Sequence, residues 1–204
     1  MPTGAFDASL PFVLRWEGGY VDHPDDPGGR TNNGVTQRAY DRWRSRQDEA
    51  PRDVRLIEDE EVHAIYETGY WRPPRCDLLR RRLDLVHFDT AVNMGVRRAV
   101  RLLQESVGCG VDGIFGPVTT QAAASCDLSG TTRAYCDSRE AYYRRLAESR
   151  PKLRVFLRGW LNRLDALRRE VGLGDDGARK ALDFGDTGYV ARIPDYREDP
   201  EYDL

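Results

Sequence analysis

Cysteine and histidine are scarce in this sequence. Its 204 residues include four cysteines, which form no Cys-x-x-Cys pair, and three histidines. Small secreted domains held by disulfides carry far more cysteines for their length, and structural zinc sites usually draw on closely spaced ligand pairs. We therefore expect reduced thiols, as in a cytoplasmic protein, and no structural zinc site.

Long apolar runs and a leader segment are also missing. The apolar runs are only a few residues long, whereas a helix needs about 20 apolar residues to cross a bilayer. The first residues contain no basic region, apolar stretch or cleavage site, so no signal peptide is visible. These features predict a cytoplasmic chain without stable membrane insertion.

Neither sign of charge dominates the chain, whose net charge is −3. Residues 175–204 contain nine acidic and four basic side chains, which leaves about +2 for residues 1–174. Such a chain is no general polyanion binder, and no nucleic-acid recognition motif is present. We predict an acidic tail over 175–204 and no nucleic-acid partner.

The arginines of the last helices, Arg163 among them, are expected on a solvated face or on a positive surface facing an anionic cell envelope.

Helical periodicity dominates what is present. Phe6, Leu10 and Val13 share one stripe, and no alternating run is long enough for a substantial sheet. Helices are predicted near residues 6–17, 36–46, 59–70, 85–107, 117 onward, 132–148 and 152–171. The fold class is therefore mainly α. We expect segments 1–70 and 71–174 to pack into one compact body, followed by the tail.

Glu17 is the residue whose position indicates chemistry. It lies on the apolar stripe of the first helix, where a carboxylate loses hydration, and at the helix C-terminus, where partial negative charge opposes it. Both effects favour the protonated carboxyl group that a general acid needs. Gly18 and Gly19 have no side chains, so they would let a substrate approach closely. Taken alone, this pattern is also typical of a solvated helix end.

The segment from Tyr20 to Thr36 is rich in glycine, proline, aspartate and asparagine. This composition predicts turns and a short β-hairpin, which would form a small active-site lobe. Short polar side chains in the segment could position water and the hydroxyl groups of a substrate. They are Asp22, Asp25, Asp26, Thr31, Asn32, Asn33 and Thr36.

Several motifs occur together in the order of one known family. They are residues 17–36 (EGGYVDHPDDPGGRTNNGVT), 70–73 (YWRP), 88–95 (FDTAVNMG), 111–119 (VDGIFGPVT) and 156–163 (FLRGWLNR). The first resembles the active-site signature of glycoside hydrolase family 108, which comprises lysozyme-like N-acetylmuramidases of phage endolysins and bacterial genomes. The others resemble the predicted peptidoglycan-binding segment that accompanies it. The resemblance covers about residues 6–170 and implies a lysozyme-like fold.

The resemblance also implies roles for individual residues. By the family pattern Glu17 is the catalytic acid, and Asp26 and Thr31 resemble the Asp and Thr that assist the glutamate in phage-type lysozymes. Asp25 and Asp22 remain alternatives to Asp26, or the single glutamate suffices. Trp71 is a candidate for stacking on a sugar ring. Substrate contacts are expected at Gly18, Gly19, Tyr20, Asn32, Thr36 and Asn93.

The implied reaction is hydrolysis of the β-1,4 bond between N-acetylmuramic acid and N-acetylglucosamine, a chemistry that requires no metal or organic cofactor. The implied partners are bacterial peptidoglycan and a holin-type protein, which would release a monomeric enzyme from the cytoplasm to the wall in the periplasm. Two alternatives stay open. One is a non-catalytic peptidoglycan-binding or secretion-activator protein. The other is a lytic transglycosylase or chitin-type hydrolase on the same fold.

Overall fold

A computed structural model of the protein describes residues 4–22 and 29–174. Within these ranges the chain forms eight α-helices and one antiparallel pair of short strands. In chain order they are α1 (Ala5–Glu17), β1 (Thr31–Asn32), β2 (Val35–Thr36), α2 (Gln37–Arg46), α3 (Asp59–Tyr66), α4 (Leu83–Met94), α5 (Val96–Val107), α6 (Pro117–Ser125), α7 (Leu128–Ser149) and α8 (Arg154–Glu170). No helix in the described part of the chain is long and apolar enough to cross a membrane. Asp25, Asp26 and the acidic tail predicted over 175–204 lie outside the described residues.

The described residues divide into two compact units. The first comprises residues 4–22 and 29–69 and contains α1 to α3 and the hairpin. The second comprises residues 70–174 and contains α4 to α8. A single π-helical turn, Glu67–Trp71, spans the boundary between them in the sequence.

A buried tyrosine hydroxyl and a glutamate join the helices of the first unit. Tyr40 on α2 is fully buried and donates a hydrogen bond of 2.7 Å to Glu61 Oε2 on α3, while Arg44 Nη1 lies 2.7 Å from Glu61 Oε1. Burial alone would raise the pKa of Glu61, but the bond from Tyr40 and the charges of Arg52 and Arg44 hold it below its ordinary value. The ionised carboxylate therefore helps to hold α2 and α3 together.

The hairpin of the first unit turns at Asn33 and Gly34. Asn32 pairs with Val35 across the strands, and Thr31 pairs with Thr36. Both turn residues have positive φ angles, 48° and 73°, as the two central positions of a type I′ turn require. An Asn-Gly pair adopts this conformation readily, which explains the hairpin predicted for this segment.

Helix α4 forms the centre of the second unit, where every residue from Leu83 to Ala91 is buried. It packs against α5 and α7. The sequence predicted one helix over 85–107, but the structure breaks it at Gly95, whose φ of 84° lies outside the helical region. The prediction of a continuous helix is therefore wrong, and Gly95 is both the C-cap of α4 and the N-cap of α5.

The loop between α5 and α6 is held by one buried glutamine. Gln104 is 1% exposed, and its Nε2 donates to Asp112 Oδ1 at 2.7 Å and to Thr119 Oγ1 at 3.0 Å. Its Oε1 accepts the backbone N–H groups of Asp112 and Gly113 at 3.1 and 2.8 Å. The polar groups of the loop are therefore directed inward, onto the glutamine.

Trp71 belongs to the core. Its side chain is 5% exposed, and its ring meets the ring of Phe88 edge-on, with 5.3 Å between centroids and an interplanar angle of 78°. Trp71, a candidate for stacking on a sugar ring, is therefore not accessible to a ligand in this structure, since only 5% of the residue is exposed.

Candidate active site

Glu17 is the last residue of α1, and its side chain is half-buried in the first unit. The stripe that precedes it on the helix, Phe6, Leu10 and Val13, is buried. This periodicity places the glutamate at the edge of the core, where one side of a carboxyl group can meet protein atoms. Gly18 then ends the helix, and Gly19 is exposed.

The turn of the hairpin lies directly against the Glu17 side chain. A Cβ atom built on Gly34 would lie 2.8 Å from Glu17 Oε2 and 3.0 Å from Glu17 Cβ. The same Cβ would lie 2.6 Å from Tyr66 Oη. No residue with a side chain fits this position without displacing one of these neighbours. The glutamate and the hairpin are therefore brought together by a close approach that only glycine permits.

Tyr66 completes this arrangement from α3. It is 2% exposed, and its hydroxyl donates a hydrogen bond of 2.8 Å to the carbonyl oxygen of Asn33 in the turn. Sequence reasoning did not select Tyr66, because a tyrosine on an amphipathic helix looks like any core residue. The Asn33-Gly34 pair indicates a tight turn, but nothing in the sequence indicates which side chain binds that turn.

Thr31 and Thr36 occupy paired positions on the two strands. Thr31 is 5% exposed, and its backbone exchanges hydrogen bonds of 2.8 and 2.9 Å with Val21. Thr36 is the N-cap of α2, and its Oγ1 accepts the backbone N–H of Ala39 at 3.0 Å. The hairpin thereby connects the strand-like segment after Glu17 to the start of α2.

Asn32 and Tyr20, which the sequence predicted as substrate contacts, both interact with the segment around Arg55. Asn32 Nδ2 donates to the carbonyl oxygens of Val54 and Arg55, both at 3.3 Å. The Arg55 guanidinium lies over the Tyr20 ring, 4.8 Å from its centroid, and donates to Tyr20 Oη at 3.0 Å. Tyr20 Oη in turn donates to Asp22 Oδ2 at 3.2 Å. Arg55 is thus a neighbour of the site that sequence reasoning missed.

Asn93, the remaining predicted substrate contact, lies in the second unit. Its Oδ1 accepts a short hydrogen bond from the Tyr143 hydroxyl, which also accepts a bond of 2.7 Å from Arg139 Nε. Arg139 is completely buried and pairs with Asp89, so Asn93 lies at the edge of a buried polar network. In the structure, Asn93 makes the contacts of a residue that packs helices together.

The structure thus groups Glu17, Gly18, Gly19, Tyr20, Thr31, Asn32 and Thr36 in the first unit, with Asn93 in the second. Asp26 lies outside the described residues, as does Asp25. Within the described ranges, no group of three or more histidine, cysteine, aspartate or glutamate side chains is arranged to hold a metal ion.

Comparison with known proteins matches each part of the chain to a protein family. Residues 10–95 match the family Glycosyl hydrolase 108, and residues 98–165 match the family Predicted Peptidoglycan domain. Twelve chains of solved structures match, among them the structure of Brucella abortus SagA, with a TM-score of 0.69 and 31% sequence identity. That match covers 82% of this chain and 94% of SagA. No curated protein matches the sequence.

The helices, the small hairpin and the similarity to SagA define a mainly α, lysozyme-like protein, which confirms the predicted fold class. The chain belongs to glycosyl hydrolase family 108 and carries the predicted peptidoglycan domain that accompanies it, as its motifs indicated. It is a glycoside hydrolase that acts on peptidoglycan.

Proposed function

We propose that the protein hydrolyses the β-1,4 bond between N-acetylmuramic acid and N-acetylglucosamine, with Glu17 as the general acid. The observation that carries this proposal is the position of Glu17. It lies at the end of α1, half-buried, with its carboxyl group against the hairpin turn, inside the segment that matches the glycosyl hydrolase family. Such a carboxyl group is oriented by its surroundings while one side stays accessible.

Glycosidic cleavage requires a proton for the leaving oxygen and stabilisation of an oxocarbenium-like centre. Glu17 would deliver the proton. Asp26 would activate a water molecule on the opposite face of the sugar, and Thr31 would hold that water. This arrangement inverts the anomeric configuration and needs carboxyl groups about 6.5–9.5 Å apart, whereas a separation of about 5 Å suits retention. Chain proximity supports Asp26, which lies nine residues after Glu17.

The segment after Glu17 would contact the sugar rings. A Cβ on Gly19 would meet no atom within 4 Å, so this backbone is open to a ligand that approaches closely. Gly18 is half-exposed, and the half-exposed Tyr20 ring is held by Arg55, which fixes its orientation. We place the scissile bond above Glu17, with Gly18 and Gly19 on one side and the hairpin residue Thr36 on the other.

The family resemblance supports the biological part of the proposal. A monomeric enzyme of the phage endolysin type would accumulate inside the cell until a holin-type partner permeabilises the inner membrane. It would then lyse the cell by degrading the wall from the periplasm. The predicted peptidoglycan domain over residues 98–165 would hold the enzyme on this polymer.

Mass spectrometry of the products tests the reaction. Purified peptidoglycan is digested with the wild type, with Glu17→Gln and with the control Glu60→Gln, which alters an exposed carboxyl group on α3. The soluble products are then reduced with borohydride. We expect reduced N-acetylmuramic acid ends from the wild type and Glu60→Gln, and none from a folded Glu17→Gln.

The other outcomes distinguish the alternative functions. Anhydro-muramic ends would identify a lytic transglycosylase, which can dispense with a second carboxylate, and would leave Asp26 without its proposed role. Bound peptidoglycan without released fragments would identify a binding or secretion-activator protein. Loss of hydrolysis in Asp26→Ala, with the fold retained, would support a water activated by Asp26.

A further inference from the structure

The Glu17 carboxyl group and the Tyr66 hydroxyl share the same small space next to Gly34. The Cβ that Gly34 lacks would lie 2.8 Å from Glu17 Oε2 and 2.6 Å from Tyr66 Oη. Real Cβ atoms essentially never make contacts under 3.0 Å, so a side chain at position 34 would displace one of these two oxygens. The position of the turn and the positions of the two side chains are therefore coupled.

We propose that Tyr66 is a positioning residue for Glu17. By donating to the Asn33 carbonyl, it fixes the hairpin turn so that Gly34 lies against the Glu17 carboxyl group and sets its orientation. Tyr66 acts through the turn and need not touch the substrate. This inference rests on the proposed function, since it gives Tyr66 a role only if Glu17 is the acid.

The burial and location of Tyr66 suit this role. Its side chain is 2% exposed, and it is the last residue of α3. A hydroxyl held in this way transfers the rigidity of the helix packing to the turn. The turn itself has only two residues between paired strands, so a bond at Asn33 constrains Gly34 directly.

Kinetics of Tyr66→Phe test the proposal. This variant keeps the ring and removes the hydroxyl that binds Asn33. The control is Tyr40→Phe, which removes another buried hydroxyl from the same unit, one that binds Glu61.

Rates are measured on glycan strands solubilised from purified peptidoglycan, by the release of reducing ends. Because misplacing a catalytic group by about 1 Å can cost about 100-fold in rate, we expect kcat of Tyr66→Phe to fall about tenfold or more. KM should stay within about twofold, and Tyr40→Phe should keep the wild-type kcat.

A pair of glycine variants tests the other half of the inference, that the position of the turn sets the position of Glu17. Gly34→Ala places a Cβ against Glu17 and Tyr66, whereas Gly108→Ala places one where no atom lies within 4 Å. Both glycines have a φ of 73°, so both alanines must adopt the same positive φ. We expect kcat to fall in Gly34→Ala and to be unchanged in Gly108→Ala.

Three results would overturn the proposal. One is a folded Tyr66→Phe with the wild-type kcat, another is an equal loss of kcat in Tyr40→Phe, and the third is a change confined to KM. If Tyr66→Phe fails to fold, as judged by circular dichroism, a wild-type kcat in Gly34→Ala would overturn the proposal, since the turn would then not set the position of Glu17. Glu17→Gln separates the two hypotheses: an active Glu17→Gln refutes the proposed function, whereas an inactive Glu17→Gln with a fully active Tyr66→Phe refutes only the positioning role.

Discussion

Asp89 and Arg163 form a buried ion pair across 74 residues of sequence. Asp89 Oδ1 lies 2.8 Å from Arg163 Nε and 2.7 Å from Arg163 Nη2, and Asp89 itself is fully buried. The second carboxylate oxygen lies 2.7 Å from Arg139 Nη1. Burial alone would raise the pKa of Asp89, but the two guanidinium groups hold it below its ordinary value. One ionised carboxylate therefore joins α4, α7 and α8.

Removing the Asp89 charge should destabilise the protein strongly. Asp89→Asn leaves two buried arginines without their counter-ion, and breaking such a pair typically costs about 3–5 kcal/mol. The control Asp165→Asn removes a half-exposed partner of Arg168, whose contribution should be about 0–1 kcal/mol. Urea unfolding at pH 7 measures both. An equal effect of the two substitutions would show that the buried pair does not hold the helices together.

His87 should make stability depend on pH. It is completely buried, with Nε2 3.0 Å from the Pro74 carbonyl oxygen and Nδ1 2.8 Å from Tyr135 Oη. Burial lowers the pKa of His87 from 6.5 to about 4. Because the unfolded chain binds a proton more readily than the folded one, the stability contributed by neutral His87 is complete above pH 6.5 and is lost as the pH falls toward 4. By pH 5 the loss is about 2 kcal/mol.

A comparison of two proteins at two pH values isolates this effect from the other titrating groups. The free energy of unfolding is measured by urea titration for the wild type and His87→Gln at pH 7.5 and pH 5. The variant should be less stable at pH 7.5, and the gap between the two proteins should narrow by about 2 kcal/mol at pH 5. A gap that stays constant would mean that His87 does not titrate between these values.

The parts of the site that depend on local sequence were predictable. The stripe of α1 places Glu17 at the edge of the core, and the Asn33-Gly34 pair specifies the turn with two positive φ angles. Tyr66 binds the turn from 33 residues away, and Asn32 reaches backbone carbonyls 22 and 23 residues away. No periodicity or turn signal encodes which side chain will meet a given carbonyl over such separations.

The errors in the second unit have the same origin. Arg163 was expected on a solvated face, but it is 4% exposed because it pairs with Asp89 on another helix. Trp71 was a candidate for stacking on a sugar ring, and it packs on Phe88. Residue type and local pattern gave the correct helical class, whereas the burial of a cation or an indole depends on partners that only the tertiary structure supplies.

Gln104 should control the order of the loop between α5 and α6. Gln104→Leu removes the amide that binds Asp112, Gly113 and the buried Thr119, at a cost of about 1–3 kcal/mol. Hydrogen exchange of the Asp112 and Gly113 amides should accelerate in the variant, while exchange in α4 changes only as far as global stability does. Equal acceleration in the loop and in α4 would contradict a local role.

Asn32 is a predicted substrate contact whose side chain binds backbone carbonyls in the structure. Because its Nδ2 donates to the Val54 and Arg55 carbonyls, we expect Asn32→Ala to lower the free energy of unfolding by about 1 kcal/mol, with KM within about twofold of the wild type. Gln37→Ala is the matched control. The Gln37 side chain binds the same segment, through Arg52 O and Val54 N at 2.8 Å, without belonging to the hairpin. Similar stability losses and unchanged KM in both variants would support a structural role for Asn32. A several-fold rise in KM in Asn32→Ala alone would instead support the substrate contact that the sequence predicted, with sugar hydroxyls competing for the amide that now binds the two carbonyls.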